Sequence, residues 1–373
     1  MTPVRLTWDQ VLAWRLRRQY LEAPAGSAID VVRRLCGVQA QVASAAEMAI
    51  GVRLPPQKPG AVARAIEERA LIKTWAMRGT LHLLPADVAG AYLALIGSLK
   101  TWERPSWQKA FISAAQIETL AGIAGEVLEG RTLSREDLVA EVRARTHDAS
   151  LSEHLRSGWA AVLKPLAWQG LLCQGPAKGN RVTFTSPRTW SPAWSGIPDL
   201  DEASRIAIPA YLGAFGPASM NAFDAWLTRG ATSKRSLRDW FTAAGDLLTA
   251  VEVDGETAFA RGEDLEDMVG TTASGTVRLL PAFDHYVLGP GTGDSHVIPP
   301  AHRPAVSRTA GWIAPVLVVG GRVAGTFETR GSTLEITVFE DSSPVPAALL
   351  EAETARISQL MGRPLTLAVR AGP

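Results

Sequence analysis

Asp254-Gly255 separates the alternating runs 248–253 and 256–261, and this short segment constrains the local fold more tightly than any other in the chain. The dipeptide supplies the positive φ angles of a type I′ turn, whose twist suits paired strands, so a β-hairpin is expected. Helical patterns near 203–214, 217–228 and 233–244 precede it. The same order occurs twice upstream. Helices near 7–20, 27–36 and 60–69 lead to strand-like runs at 71–75 and 80–84 around Met77-Arg78-Gly79. A helix opening at Ser134-Arg135-Glu136-Asp137, then a longer one near 152–169 carrying Leu155, Trp159, Val162, Leu163 and Leu166, lead to runs at 171–174 and 181–185 around Lys178-Gly179-Asn180. Ser27, with Asp30 three residues on, is a ready N-cap for the second helix.

Helices followed by a hairpin make a winged-helix order. The repetition lies in the order of elements, since residue identity between the copies is low. From about residue 276 the texture turns to β, with short runs at 277–281 and 286–288, a hairpin at 315–328 through Gly320-Gly321, and a run at 333–339. A helix near 345–361 and a strand at 365–370 close the chain. The expected class is α+β, mainly α. Three tandem winged-helix units occupy 1–110, 111–195 and 196–270, and a β-rich, barrel-like domain occupies 271–373.

Charge separates the parts. Net charge is only +1, yet residues 1–110 hold 15 Lys/Arg against 8 Asp/Glu, while 245–270 hold 8 acidic residues against Arg261 alone. A basic first third in a neutral protein suits one anion-facing surface. No apolar run is long enough to span a bilayer, and residues 1–9 lack the apolar core of a secretory signal, so a cytoplasmic, nucleoid-associated monomer with no membrane contact is expected. Cys36 and Cys173 sit in apolar settings and read as buried thiols. The twelve tryptophans are scattered and belong mostly to cores. His147, His154 and His302 show no metal spacing, and no glycine-rich phosphate loop is present, so neither metal nor organic cofactor is expected.

Two features carry chemistry. Gln39 and Gln41 are carboxamides two residues apart in the otherwise apolar segment 35–42. In extended backbone they project to one side, where they can hold a water or a sugar oxygen between them. The first hairpin gathers Lys73, Trp75, Arg78, Thr80 and His82, groups that position phosphates without reading bases. No candidate recognition helix is a Lys/Arg stripe; beyond Arg156 in its first turns, the long helix near 152–169 carries only Lys164. His285 beside Asp284, read on a strand, points away from its neighbour and takes a structural role.

Gly37-Val38-Gln39-Ala40-Gln41 and Met77-Arg78-Gly79-Thr80-Leu81-His82-Leu83, followed by residues 280–289 and 311–316 in the same order, resemble the AlkZ/YcaQ winged-helix DNA glycosylases of bacteria. The resemblance runs over nearly the whole chain. It implies three winged helices around a concave DNA-binding face, a C-terminal β-rich domain, and an active site of the form Gln-aliphatic-Gln or Gln-aliphatic-Asp. Gln39 and Gln41 match the first form, with Ala40 between them, and so are similar to the AlkZ branch known from actinobacterial producers of DNA-alkylating antibiotics. A hairpin of the C-terminal half lies near DNA in that family; it is set here at 289–299, with His296.

The residue types agree with such chemistry. Alkylation at N7 makes a purine cationic and a good leaving group. An enzyme then needs only to stabilise an oxocarbenium-like sugar and orient a water, which a carboxamide does by accepting its hydrogen bond. No lysine adjoins the pair in sequence, so a hydrolytic, monofunctional reaction is expected. The partner is duplex DNA with alkylated purines, including bulky adducts or interstrand crosslinks, as base excision repair or self-resistance. Bulky lesions favour an open groove over a tight base-flipping pocket. The alternative is a non-catalytic winged-helix DNA-binding protein or regulator.

Overall fold

The computed structural model describes residues 4–56, 60–156 and 160–372. Chain contacts divide it into two units. Met1–Arg64, Ile208–Trp226 and Ala244–Pro373 form the first, and Ala65–Ala207 and Leu227–Ala243 the second.

In the first unit, Leu248–Val253 and Glu256–Arg261 pair antiparallel with Val253 opposite Glu256. Asp254 and Gly255 both take positive φ (44° and 90°), as the expected type I′ turn requires. Asp254 also accepts the Trp8 N–H at 2.9 Å, so the turn tethers the start of the helix Trp8–Arg18. That helix opens with a Thr7/Gln10 capping box and lays Val11 and Trp14 on the hairpin's apolar face, against Val251, Val253, Ala258 and Ala260. Val4–Leu6 adds a parallel third strand.

The C-terminal segment of this unit is an open five-stranded sheet. Its order is Val277–Leu280, Val316–Val319, Arg322–Arg330, Thr333–Val338, Thr366–Ala371, with only the last pair parallel. The helix Ala347–Met361 buries Leu350 and Ile357 in the sheet's core. The barrel-like expectation is corrected: among the described residues no barrel closes. The expected strand at 286–288 is also corrected. His285–Leu288 is a short helix, because Phe283 at φ 60° reverses the chain and Asp284 caps the Tyr286 N–H at 2.8 Å.

Much of the basic surplus of the first 110 residues is used inside the fold. Arg15, Arg18, Gln19 and Arg34 donate to carbonyls of Gly213, Ala214, Gly216 and Pro217, at and just beyond the C-terminal end of the helix Leu200–Phe215. Those carbonyls have no intrahelical donor, and cations there also meet the negative end of the helix dipole.

In the second unit the first two expected hairpins lie in one sheet. Leu81–Pro85 pairs with Leu71–Trp75, which pairs through Lys73↔Gln174 with Cys173–Gln174. Thr183–Thr185 and Leu133–Ser134 continue the same antiparallel sheet. Leu133, Leu138, Val142, Leu155, Leu166 and Phe184 share one core. The long helix expected near 152–169 is broken into Ala149–Arg156, a 3₁₀ turn Ala160–Val162 and Lys164–Trp168, while Trp159 lies outside the described residues. Pro165 explains the restart, because within one continuous helix it would remove an N–H and clash with the preceding turn. Cys36 and Cys173 are buried free thiols, and burial raises the Cys173 pKa. Among the described residues no helix is long and apolar enough to cross a membrane.

At Gly255 an added Cβ would meet nothing within 4 Å, so substitution there acts through backbone strain alone. Gly255→Ala is expected to cost about 1–2 kcal/mol, read as a lower urea midpoint at unchanged slope.

Candidate active site

The segment holding the two glutamines is set by its neighbours on both sides. The helix Ala28–Arg34 is followed by Cys36 and Gly37, both at positive φ (56° and 104°). Their N–H groups return to the Arg33 and Val32 carbonyls and close the helix end. The short strand Val38–Gln39 follows, and the chain bends at Gln41 and Val42. Val38 and Ala40 are 1% and 3% exposed, whereas Gln39 is half-buried and Gln41 exposed. The segment thus alternates in burial, with the apolar residues inside and both glutamines nearer the surface. The helix Ala43–Gly51 begins next. Val42 offers it no side-chain cap.

Gln39 is fixed from a distant part of the chain. Its backbone N–H donates to His285 Nε2 at 2.7 Å. A backbone N–H can only donate, so Nε2 carries the lone pair and the ring proton resides on Nδ1. His285 is held by its neighbour. Asp284 accepts Arg53 Nη1 and Nη2, each at 2.7 Å, and both side chains are fully buried. Arg53 also donates to the Ala49 and Gln19 carbonyls, at 2.8 and 3.0 Å. The chain of contacts Arg53–Asp284–His285–Gln39 therefore locks the carboxamide segment without using either carboxamide.

The sequence singled out Asp284-His285 but read them on a strand with a structural role. The tight turn at Phe283 instead places both on one short helix, Asp284 gripping Arg53 and His285 gripping Gln39. Arg53 was missed altogether, because a buried arginine leaves no mark in the local pattern.

The remaining expected site residues fall into two groups. His296 belongs to the first unit. Its ring stacks on Trp8 with centroids 3.7 Å apart, and its Nε2 lies 3.7 Å from Glu256. It borders a cavity of about 350 Å³ with Trp8, Arg15 and Asp294. Lys73, Trp75, Arg78, Thr80 and His82 belong to the second unit. Lys73, Arg78 and Thr80 are half-buried, and partial burial lowers the Lys73 pKa. Trp75 and His82 are buried, at 5% and 0% exposure, so they support the hairpin from beneath. His82 Nδ1 donates to the Thr80 carbonyl at 3.0 Å. Among the described residues no group of His, Cys, Asp and Glu could hold a metal ion.

The family model described as "DNA glycosylase AlkZ-like" matches residues 32–360, and the chain belongs to that family of DNA glycosylases, which hydrolyse the N-glycosidic bond. The chain is 46% identical over 362 residues to the interstrand DNA cross-link repair glycosylase of Streptomyces sahachiroi, covering 96% of this chain and 98% of that one. Its structure is similar to that of the Streptomyces sahachiroi DNA glycosylase AlkZ, with a TM-score of 0.95 and 45% identity over 98% of this chain and all of the other.

Two outcomes follow. His285→Ala removes the acceptor of the Gln39 N–H; that amide should exchange with deuterium roughly tenfold faster, the kinetic equivalent of about 1.4 kcal/mol, by NMR or mass spectrometry. His82 is held down to about 3 by burial first and by the Arg78 charge second, against the bond to Thr80. The unfolded chain then binds a proton that the fold refuses between about pH 6.5 and pH 3, so stability declines as pH falls through this window. The loss attributable to His82 should reach about 3 kcal/mol at pH 4, and His82→Gln should flatten the urea-unfolding profile across that range.

Proposed function

We propose that this enzyme is a monofunctional glycosylase that releases cationic N7-alkylated purines from duplex DNA, including bulky adducts and interstrand crosslinks. The observation that carries the reading is that Gln39 and Gln41 are both more exposed than Val38 and Ala40, on a segment whose backbone is clamped by His285. In this reading Gln39 and Gln41 accept hydrogen bonds from a single water and hold it below C1′ of the lesion. The positive purine departs first, taking the bonding electrons. The water then adds to the oxocarbenium carbon and loses its proton to solvent. Holding the water is an entropic contribution, and a fixed backbone beneath the pair is what it needs.

Neither amide titrates between pH 5 and 9, and neither supplies a negative charge to the sugar cation. The site should therefore leave neutral damaged bases in place, since their glycosidic bonds need help that amides do not provide. The description of the Streptomyces sahachiroi relative as an interstrand cross-link repair glycosylase supports the wider substrate range. We read the architecture as three winged-helix units, residues 1–110, 111–195 and 196–270, with 271–373 as a C-terminal domain. In that frame Lys73, Arg78 and Thr80 position phosphates, and His296 approaches DNA from the 289–299 segment. The protein acts as a monomer on the nucleoid.

Single-turnover assays on duplex containing 7-methylguanine, with alkali cleavage of abasic sites, test this directly. Wild-type protein should release the base well above the spontaneous rate, with a nearly flat profile from pH 6 to 9. Gln39→Ala and Gln41→Ala should each slow release by roughly 100-fold. Gln41 is exposed, so its loss should move stability by no more than about 0.5 kcal/mol. Binding without base release across several N7 adducts would instead identify a non-catalytic DNA-binding protein.

A further inference from the structure

The second unit contains a cationic cleft that the carboxamide chemistry does not use. Arg78, Lys164 and Arg229 line a cavity of about 270 Å³ whose other walls include Trp107, Phe111 and Trp168. Both arginines are non-glycine residues in left-handed backbone, each immediately followed by a left-handed glycine: Arg78-Gly79 (57° and 69°) and Arg229-Gly230 (65° and 77°). Such conformations cost energy for any side chain with a Cβ and collect at ligand sites. Lys164 reaches the first of these turns, its Nζ only 3.4 Å from where a Gly79 Cβ would sit. Its basicity is lowered by burial first and by the nearby Arg229 charge second, and no carboxylate contributes. Folding has thus drawn like charges together beside apolar rings, an arrangement that an arriving anion relieves.

Two further groups match a nucleotide. The Trp168 indole N–H is buried without a hydrogen-bond partner among the described residues, a donor awaiting an acceptor. Trp107 is half-buried, and with Phe111 at a centroid distance of 4.9 Å it presents an aromatic wall. Phosphate oxygens are recognised by cations, and a base by a ring face.

We propose that this cleft is a nucleotide subsite: Arg78, Lys164 and Arg229 hold one backbone phosphate, and an unstacked base beside it lies against Trp107. The proposal deepens the glycosylase reading and rests on it for the identity of the polymer. It assigns to Lys164 and Arg229 a role the sequence did not suggest, and to Arg78 a defined pair of companions.

Anisotropy titrations of a labelled duplex over 50–200 mM salt test it, using the full chain and variants whose melting curves match wild type. Each of Lys164→Gln and Arg229→Gln should reduce the slope of log K against log salt by about 1, and Arg229→Lys should restore it. A duplex with one unpaired nucleotide should bind wild type at least about fivefold tighter than a fully paired one, and Trp107→Ala should abolish the difference. Unchanged slopes in both glutamine variants overturn the site. Changed slopes with no preference for the unpaired nucleotide, in wild type or variant, also overturn it, leaving a bare phosphate contact. Base release by wild type is measured separately: if it fails while slopes and preference behave as expected, the glycosylase reading falls and the subsite stands.

Discussion

The fully buried pair between Arg53 and Asp284 is the contact on which the candidate site depends. Two opposite charges removed from water do not stabilise a fold by attraction alone, because the desolvation cost is of the same order as the Coulomb gain. This pair is made tolerable by the bonds around it. Arg53 donates to two carbonyls as well as to Asp284, and Asp284 adds the Tyr286 N–H to its two guanidinium bonds. Removing either partner would strand a charge in the interior, so the geometry is all or nothing. What the pair secures is the turn at Phe283, and hence the imidazole that holds Gln39.

In the proposed mechanism, catalysis by amides places unusual weight on such rigidity. A carboxylate misplaced by an ångström still exerts a field on a developing cation. A carboxamide acts only through directed hydrogen bonds, which weaken steeply with angle. A clamp on the backbone of Gln39 therefore matters more in this site than it would with an acid in the same position. The cationic residues of the first 110 positions divide along similar lines. Arg15, Arg18, Arg34 and Arg53 are consumed by helix ends and buried carbonyls, so a residue count overstated the surface charge available to DNA.

The sequence was most legible where one residue type answers one backbone need. Asp254-Gly255, Gly320-Gly321, and the helix openings at Ser27 and Ser134 lie where the structure uses them. It was least legible where a partner distant in sequence decides. The helix Ala89–Gly97 is buried over almost its whole surface and so lacks the polar face that periodicity detects. Residues 286–288 carry strand-like side chains, yet a capping aspartate and a left-handed phenylalanine turn them helical. The joining of two hairpins into one sheet hangs on a register match between Lys73 and Gln174 that no local pattern announces. In the site, the Gln pair was legible and its clamp was not, because Arg53 and His285 have meaning only once the chain has folded back.

That fold-back has a consequence for synthesis. The Gln39 amide and its His285 acceptor are 246 positions apart, and Arg53 and Asp284 are separated by 231. The first unit is assembled from three stretches of chain, the last of which extends to the C-terminus. On the ribosome the glutamines emerge first, and the histidine that fixes their backbone emerges 246 positions later. A nascent or truncated chain that stops before Asp284 thus carries the carboxamides without their clamp, and the segment is fixed only once His285 has been made.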